Sequence, residues 1–255
     1  MKLEILGSFG GNADTYRLTS LLVNDCLALD AGCLTSALTF ERQLPIRNVM
    51  VSHAHSDHIG TLPYLIDNVF GYSDGPLRIH GSAAVIQALK DHVFNDVIWP
   101  DFSKLPSPSS PSMVFETLHA ERPVHIGSLR VTPIPVNHLV PCTGFLVECQ
   151  EQGSAFIYTA DTAQTDRVWE IANATDNLKC VIVDCSFPNH LEDLAVASGH
   201  MTPQMLARDL KKLERKIPIL VYHLKPSFER QMAEELDALG LELLNYRIQG
   251  QVIHI

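Results

Sequence analysis

The order of the predicted elements indicates an α/β protein, in which two β-sheets pack together and carry helices on their outer faces. Strand-like runs open the chain, helices follow, strands resume from residue 128, and helices then return. This repeated order predicts two related halves. A length of 255 residues suits a substantial core, so we predict one domain over residues 1–255.

The composition is that of an acidic globular protein. The net charge of −10 argues against broad binding to a nucleic-acid backbone but not against one small phosphate ester. The six cysteines form no CxxC pair, and we interpret them as reduced thiols of a cytoplasmic protein. The first residues lack the long apolar core of a signal peptide, and no window is apolar over the length of a membrane span.

The first half of the chain predicts three strands and two helices. The strands are "LEILG", "SLLVNDCLALDAG" with a turn at Asn24-Asp25, and "RNVMVSH". The helices are "TLPYLIDNVF" and "SAAVIQALKDHVF", the second with Ser82 as its N-cap. Residues 103–113, "SKLPSPSSPSM", are rich in proline and serine and predict a loop, either an internal boundary or a mobile flap.

The second half predicts four strands, then two helices with one more strand between them. The four strands are "SLRVTPIPVNH", "CTGFLVECQ", "SAFIYTAD" and "CVIVDCSF". The helix "TPQMLARDLKKLERK" has Thr202 as N-cap and Pro203 at its first position. The strand "IPILVYH" separates it from "SFERQMAEELDALG", which we expect Ser227 to cap and Gly240 to stop.

The turn "VSHAHSDHIG", residues 51–60, concentrates metal-binding side chains at the end of a strand. It holds His53, His55, Asp57 and His58. Zinc and similar ions bind imidazole nitrogen and carboxylate oxygen. His53 and His55 alternate on extended backbone and share one side, while Asp57 and His58 turn toward a second point. This arrangement predicts two metal ions a few ångströms apart.

Three further strand-like runs end in metal-capable residues, namely His138 after "PVN", Asp161 after "YTA" and His223 after "LVY". Taken singly, each is as well explained by a capping or turn residue. Beside the cluster, they predict a site built along one edge of the sheets. The remaining histidines have no such context and are interpreted as surface or ordinary core residues. They are His80, His92, His119, His125, His190 and His254.

These residues resemble the metallo-β-lactamase superfamily, whose motif appears here as "HAHSDH" followed by His138, Asp161 and His223. Within it, "NDVIWP", "SGHMTP" and "HLKP" are similar to class II 3′,5′-cyclic-nucleotide phosphodiesterases. The resemblance implies a four-layer αββα sandwich. It implies one metal on His53, His55 and His138, a second on Asp57, His58 and His223, and Asp161 as the bridge. The implied ions are zinc, with manganese or iron as substitutes.

The same resemblance implies a metal-dependent hydrolase, with Asp57 among its catalytic residues. It would convert cyclic AMP or cyclic GMP to nucleoside 5′-monophosphates by attack of a metal-bound hydroxide. His200 in "SGHMTP" would supply the leaving oxygen with a proton, and Asp184 would orient it. Both His200 and Lys225 are expected to contact the substrate phosphate.

Three more residues are assigned supporting roles. Asp30 in "LALDAG" is expected to accept the N–H of a ligand histidine, and Asn95 and Trp99 to border a base pocket. One departure from the pattern is "DTAQTD" after Asp161, where a glycine is expected soon after "DT". It bears on nucleotide specificity rather than on the metal site.

Other functions remain open at this stage. A tRNA 3′-end endonuclease of the ribonuclease Z type shares the metal motif, although the chain lacks a basic arm for tRNA. A hydrolase of sulfate, thioester or lactone substrates, or a non-catalytic metal-binding scaffold, would use the same fold. The expected partner is a small phosphodiester, without a membrane and with a homodimer left open. Nucleotide preference, the physiological metal, and closure of residues 103–113 over the substrate are not fixed by the sequence.

Overall fold

A computed structural model describes residues 1–72 and 75–255 of the chain. In the first part of the chain, short helices alternate with strands. The strands are β1 (Lys2–Gly7), β2 (Ser20–Val23), β3 (Leu27–Leu29), β4 (Asn48–Met50), β5 (Leu77–Ser82), β6 (Pro106–Ser107), β7 (Ser110–Pro111) and β8 (Met113–Leu118). The helices are α1 (Leu34–Ala37), α2 (Phe40–Gln43), α3 (Ser56–Ile59), α4 (Leu62–Val69) and α5 (Ala83–His92).

In the second part, an antiparallel run of strands precedes parallel strands joined by helices. The strands are β9 (Val124–Ile126), β10 (Leu129–Pro135), β11 (Thr143–Cys149), β12 (Ser154–Tyr158), β13 (Leu178–Asp184), β14 (Ile219–Tyr222), β15 (Leu244–Asn245) and β16 (Val252–His254). The helices are α6 (Arg167–Ala174), α7 (Glu192–Ser198), α8 (Pro203–Asp209) and α9 (Glu229–Asp237), with three-residue 3₁₀ turns at Asn189–Leu191, Leu210–Lys212 and Pro226–Phe228.

The strands form two seven-stranded sheets that face each other. The first has the order β16-β1-β2-β3-β4-β5-β8 and the second β15-β14-β13-β12-β11-β10-β9. Apolar side chains of both sheets, such as Leu29 and Phe156, meet in one central cluster. Two more clusters join the outer face of each sheet to helices, for example through Leu65 of α4 and Trp169 of α6. The predicted four-layer αββα architecture is therefore confirmed.

Three neighbouring strands near the middle of each sheet are parallel, so their carboxyl ends lie at the same edge of the sheet. Leu29 of β3 pairs with Met50 of β4, and Met50 in turn with His80 of β5. In the second sheet β12, β13 and β14 are also parallel neighbours. Because the carboxyl ends of parallel strands share one edge of a sheet, residues that follow these strands are gathered there.

The predicted turns and caps are partly confirmed. Asn24 and Asp25 form the β2–β3 turn with φ of 47° and 57°, as a tight hairpin requires. Ser82 accepts a hydrogen bond from the Val85 amide and Thr202 one from the Met205 amide, so both predicted N-caps are present. The prediction that Ser227 caps the last helix is wrong, because a 3₁₀ turn begins at Pro226 and α9 starts only after that turn.

Other boundaries also differ from the sequence-based expectation. The helix after Thr202 ends at Asp209 and tightens into a 3₁₀ turn, so it is shorter than predicted. The 103–113 segment contains a small hairpin of β6 and β7 rather than loop alone. Strands β5 and β8 and helices α6 and α7 were not predicted. No helix in the described part of the chain is both long and apolar enough to cross a membrane.

Candidate metal centre

The predicted metal ligands meet at the sheet edge where the carboxyl ends of the parallel strands lie. His53 follows β4, Asp161 follows β12 and His223 follows β14. His138 follows β10, which runs in the same direction as β12 because both are antiparallel to β11, so its carboxyl end lies at the same edge. The residues come from both sheets, so the site exists only when the two sheets are packed together.

The 51–60 turn presents its four side chains as a strand passes into a short helix. His55 is the N-cap of α3 with extended backbone, while Asp57 and His58 lie inside the helix. The turn is held close to the chain after β3, because a side chain on Gly32 would lie 2.1 Å from the Asp57 carbonyl oxygen. The absence of a side chain at residue 32 thus allows the metal-binding turn its position.

Two sets of side chains are close enough to share an ion each. In the first group, His53, His55, His138 and Asp161 each offer one ligand atom, all within 4.8 Å of one another. In the second group, Asp57, His58 and His223 meet the same limit. This is the division that the resemblance implied. We therefore use these two groups as the candidate ligand sets.

Asp161 lies between the two groups. Its Oδ2 is 3.6 Å from His53 Nε2 and 3.2 Å from His223 Nε2, and its Oδ1 is 3.3 Å from His58 Nε2. The carboxylate is 1% exposed. Contacts to histidines of both groups fit the bridging position proposed for it.

The nitrogen that each buried histidine turns away from the centre has its own partner. His53 Nδ1 is 3.0 Å from Ser52 Oγ, and His58 Nδ1 is 2.8 Å from Asp30 Oδ2. His138 Nδ1 is 3.0 Å from the Gly199 carbonyl, and His223 Nδ1 is 2.9 Å from Ser186 Oγ. Such outer contacts fix the tautomer and the direction of metal-binding imidazoles.

The nitrogens that point inward fit a metal ion. The buried Nε2 atom of His138 has no hydrogen-bond partner among the described residues, and that of His58 has only the Asp161 carboxylate nearby, at 3.3 Å and outside hydrogen-bond geometry. A buried polar atom without a partner is costly in a folded protein. Imidazole nitrogens and carboxylates gathered at this spacing are the donor set of zinc and similar divalent ions, so the residues present fit such ions.

Asp30, the predicted support residue, is at the centre of a hydrogen-bond network. It is fully buried, and its carboxylate accepts from the Ser52 amide, the Ser52 hydroxyl and the Tyr158 hydroxyl, beside its contact with His58. Tyr222 donates in turn to Asp161 Oδ1 at 2.9 Å. The network orients one ligand imidazole and the bridging carboxylate from the interior of the sandwich.

The backbone is strained at three residues beside the centre. Asp30, Ala160 and His223 have φ of 57°, 53° and 70°. Residues other than glycine rarely adopt this left-handed conformation, and they do so where surrounding structure enforces it. The strain marks the edge of both sheets where the side chains converge.

Burial and neighbouring charges shift the pKa values of the centre in opposite directions. Burial holds the pKa of His53 well below its ordinary value. Burial also opposes protonation of His58, but the carboxylates of Asp161 and Asp30 prevail and raise its pKa well above the ordinary value. The pKa of Asp161 is lowered despite its burial by His223 and His58. Binding of a metal to His58 would therefore compete with protonation of its imidazole.

His200 and Asp184 form a buried pair next to the second group. His200 Nδ1 is 2.6 Å from Asp184 Oδ2, and Ser186 donates to Asp184 Oδ1 at the same distance. Burial alone would lower the pKa of His200, but Asp184 raises it. The ring stacks on His223 with centroids 5.0 Å apart. His200 also lies within ligand distance of Asp161 and His223, so its geometry suits either a proton donor or a ligand.

Lys225 lies at the rim of the centre. Its Nζ donates to the Gly10 carbonyl at 2.9 Å, and it forms no ion pair with any residue of the described ranges. A side chain on Gly10 would come within 2.5 Å of both the His223 ring and the Lys225 ammonium. Gly10 therefore makes room for both residues, and it is this close approach, not only a tight turn, that requires a glycine there.

Sequence reasoning misplaced two residues and missed several. Asn95 accepts hydrogen bonds from the Val97 and Ile98 amides, and Trp99 packs on Tyr64, so neither borders a pocket at the metal centre. The missed residues all hold ligands or the Asp184 pair from outside. They are Ser52, Tyr158, Ser186, Gly199 and Tyr222. Their only local signal is proximity to a predicted site residue, as in "VSH", "DCS" and "SGH".

The chain belongs to the beta-lactamase superfamily: the family described as "Beta-lactamase superfamily domain" matches residues 24–223. This confirms the predicted metallo-β-lactamase fold and an enzyme of that hydrolase family. Among curated proteins, the chain is 28% identical to a Yersinia pestis protein named "Probable 3′,5′-cyclic-nucleotide phosphodiesterase", over 88% of this chain and 78% of that one.

Two further comparisons bear on the alternatives. A ribonuclease Z of Lactobacillus delbrueckii is 32% identical, but only over 35% of this chain and 33% of its own length. Among solved structures, unliganded yeast PDE1 superposes with a TM-score of 0.83 at 18% identity, covering 100% of this chain and 99% of that one. At this identity the superposition shows a shared fold.

Proposed function

We propose that this protein is a dinuclear-metal phosphodiesterase that opens 3′,5′-cyclic nucleotides to nucleoside 5′-monophosphates. The observation that carries the proposal is the buried Asp184–His200 pair, which lies against His223 of the second ligand group. Phosphodiester cleavage expels an alkoxide, which needs a proton, and this pair is placed to give one. The Yersinia pestis relative, similar over most of both chains, supports the cyclic-nucleotide substrate.

The first group and the second group would each hold one divalent ion, with Asp161 between them. When bound, the two ions would activate a water molecule and offset the charge that builds on the phosphate oxygens. We propose zinc, because histidine nitrogen and carboxylate oxygen suit it, with manganese or iron as substitutes. The outer partners Asp30, Ser52 and Ser186 keep the ligand imidazoles in position before any ion arrives.

His200 would act on the leaving oxygen. Asp184 occupies Nδ1, so the proton that His200 gives to a substrate is the one on Nε2. The carboxylate also stabilises the charged imidazolium and so raises the pKa of His200 against the opposing effect of burial. As the bond between phosphorus and O3′ breaks, the Nε2 proton passes to O3′, and the neutral imidazole remains held by Asp184.

Lys225 would bind a phosphate oxygen that the metals do not contact. It lacks a carboxylate partner among the described residues and is held beside the His223 ring by its hydrogen bond to Gly10. A lysine ammonium is a common phosphate partner because it acts as a compact point charge. This residue would therefore help to bind substrate rather than drive the chemical step.

The test is hydrolysis of cyclic AMP and cyclic GMP by protein loaded with zinc or manganese, beside an Asp57→Ala variant. We expect 5′-monophosphates from both nucleotides, with activity lost in the variant because the second group loses its carboxylate. Turnover of a generic phosphodiester without any cyclic-nucleotide turnover would keep a dinuclear phosphodiesterase and overturn the cyclic substrate. Turnover that persists in the variant would overturn the assigned centre.

Ribonuclease Z activity is the second candidate, because a third of this chain is similar to such an enzyme. The net charge of −10 argues against it, since gripping tRNA requires basic surface. Precursor tRNA belongs in the same assay, and cleavage faster than that of cyclic AMP would favour this candidate. A loaded protein that turns over no phosphodiester would instead favour a non-catalytic scaffold or another ester substrate.

A further inference from the structure

A cavity of about 290 Å³ adjoins the candidate metal centre and is not accounted for by the metal ligands. It lies between the α5 residues Ala84 and Ala88 and the loop residues Val140 and Pro141, with His55 on one side. We call it the base pocket. His55 belongs both to this wall and to the first ligand group, so the cavity and the centre lie on either side of one residue.

The sequence builds the base pocket from elements that also place the metal ligands. Ala84 and Ala88 are four residues apart on α5 and so share one face of the helix, where their methyl groups leave space. The opposite wall, Val140 and Pro141, follows His138 directly along the chain. The pocket is therefore tied to the centre by the short segment after His138 and by His55, which lines the pocket.

We infer that the base pocket receives the nucleobase of the substrate. This inference rests on the proposed function. In a 3′,5′-cyclic nucleotide one fused ribose separates the base from the phosphate, so a bound base must lie within a sugar's breadth of the metals. A cavity that shares a wall residue with the first ligand group meets that requirement.

The lining matches a flat and uncharged ligand. Apart from the histidines, the wall residues present methyl, methylene and pyrrolidine groups, as is typical of small-molecule sites with few polar contacts. His92, the last residue of α5, also lines it and is the one polar side chain there besides His55. No lining side chain is a carboxylate or an amide, so the pocket holds the faces of the base and discriminates little between adenine and guanine.

The test uses two neighbouring alanines of α5. Ala84 lines the pocket, whereas Ala83 does not, and both are exposed at the start of the helix. Ala84→Leu places an isobutyl group in the pocket, and Ala83→Leu is the matched control for helix stability and surface. Leucine is a strong helix former, so both variants should fold. The substrates are cyclic AMP, cyclic GMP and methyl p-nitrophenyl phosphate, a phosphodiester without a nucleobase.

We expect Ala84→Leu to raise KM for both cyclic nucleotides by about tenfold or more. Its kcat/KM on the base-free ester and its metal content should stay within about twofold of the parent, and Ala83→Leu should match the parent on every substrate. Unchanged KM for the cyclic nucleotides, or equal loss on all three substrates, would overturn the inference. If the parent turns over the base-free ester but neither cyclic nucleotide, it is the proposed function that fails.

Discussion

The substitution Asp30→Asn changes the hydrogen bonds that residue 30 makes in the buried network but keeps the backbone conformation of that residue. Asp30 has a φ of 57°, which asparagine also adopts readily, so the main chain should keep its path. The carboxylate accepts the Ser52 amide on Oδ1 and meets the Ser52 hydroxyl, the Tyr158 hydroxyl and His58 Nδ1 on Oδ2. The substitution replaces one of these acceptors with an NH₂ group.

Either orientation of the new amide has a defined cost. If its NH₂ group faces the Ser52 amide, two donors confront each other and a buried N–H loses its partner, which costs about 1–3 kcal/mol. If it faces the Oδ2 partners, the two hydroxyls can rotate, but His58 must accept on Nδ1 and carry its proton on Nε2. A protonated Nε2 cannot bind a metal. We therefore expect the affinity of one of two metals to fall by about 10- to 100-fold.

The assay is titration of metal-free protein with zinc against a competing chelator, with near-ultraviolet spectra to show that the fold is kept. Asp25→Asn is the matched control, because Asp25 has the same φ of 57° but lies in the β2–β3 turn with its side chain 47% exposed. It should bind two zinc ions as the parent does. A correctly folded Asp30→Asn protein with parental affinity for both ions would refute the reasoning.

Three further predictions follow from single contacts. His200→Gln should lower turnover of cyclic AMP by about 10²- to 10⁴-fold, because the poor leaving group O3′ needs a proton. Turnover of a p-nitrophenyl ester should fall far less, because its leaving group needs none. Loss of one metal ion in this variant would instead identify His200 as a ligand. Gly199→Ala should weaken metal binding, since its new methyl group would lie 2.9 Å from His138 Nδ1. The control Gly153→Ala places an alanine in a left-handed backbone conformation but in open space, so it should cost only about 1–2 kcal/mol of stability. Burial lowers the pKa of His80 from 6.5 to about 4, so between these pH values the unfolded chain binds a proton that the folded chain does not. The free energy of unfolding should therefore fall by about 3 kcal/mol as the pH is lowered from 6.5 to 4. In metal-free protein, His80→Gln should show a shallower decline of the urea midpoint over that range.

The convergence of the candidate metal ligands could be predicted from sequence because several of them follow a strand-like run directly. Apolar runs ending in His53, Asp161 or His223 carry both the element and the functional residue within a few positions. The partners of those ligands are different. The Gly199 carbonyl reaches His138 across 61 positions of sequence, and Tyr158 reaches Asp30 across 128. Such contacts depend on how the sheets pack, which local periodicity does not encode.

The missed elements have a similar cause. Strand β5, "LRIHGS", has three buried residues in succession and lacks the polar alternation that marks a half-exposed strand. Its histidine was interpreted only as surface or ordinary core, and the structure shows why it is core. His80 Nε2 contacts Asn48 of the neighbouring strand, and its Nδ1 is buried without a partner among the described residues. Burial lowers the pKa of His80, and protonation would also place a second N–H where no described residue accepts it.

Charge balance links the metals to the proposed substrate. The chain carries a net charge of −10, and the centre contains the carboxylates of Asp57 and Asp161 with Asp30 and Asp184 just behind them. These four carboxylates oppose the binding of a phosphodiester, and the single ammonium of Lys225 offsets only part of their charge. Two divalent ions would cancel the charge of these four carboxylates, and the ammonium of Lys225 would then leave the local charge positive. Substrate binding should therefore require both ions, which makes the hydrogen bonds behind the ligands as important for binding as for the chemical step.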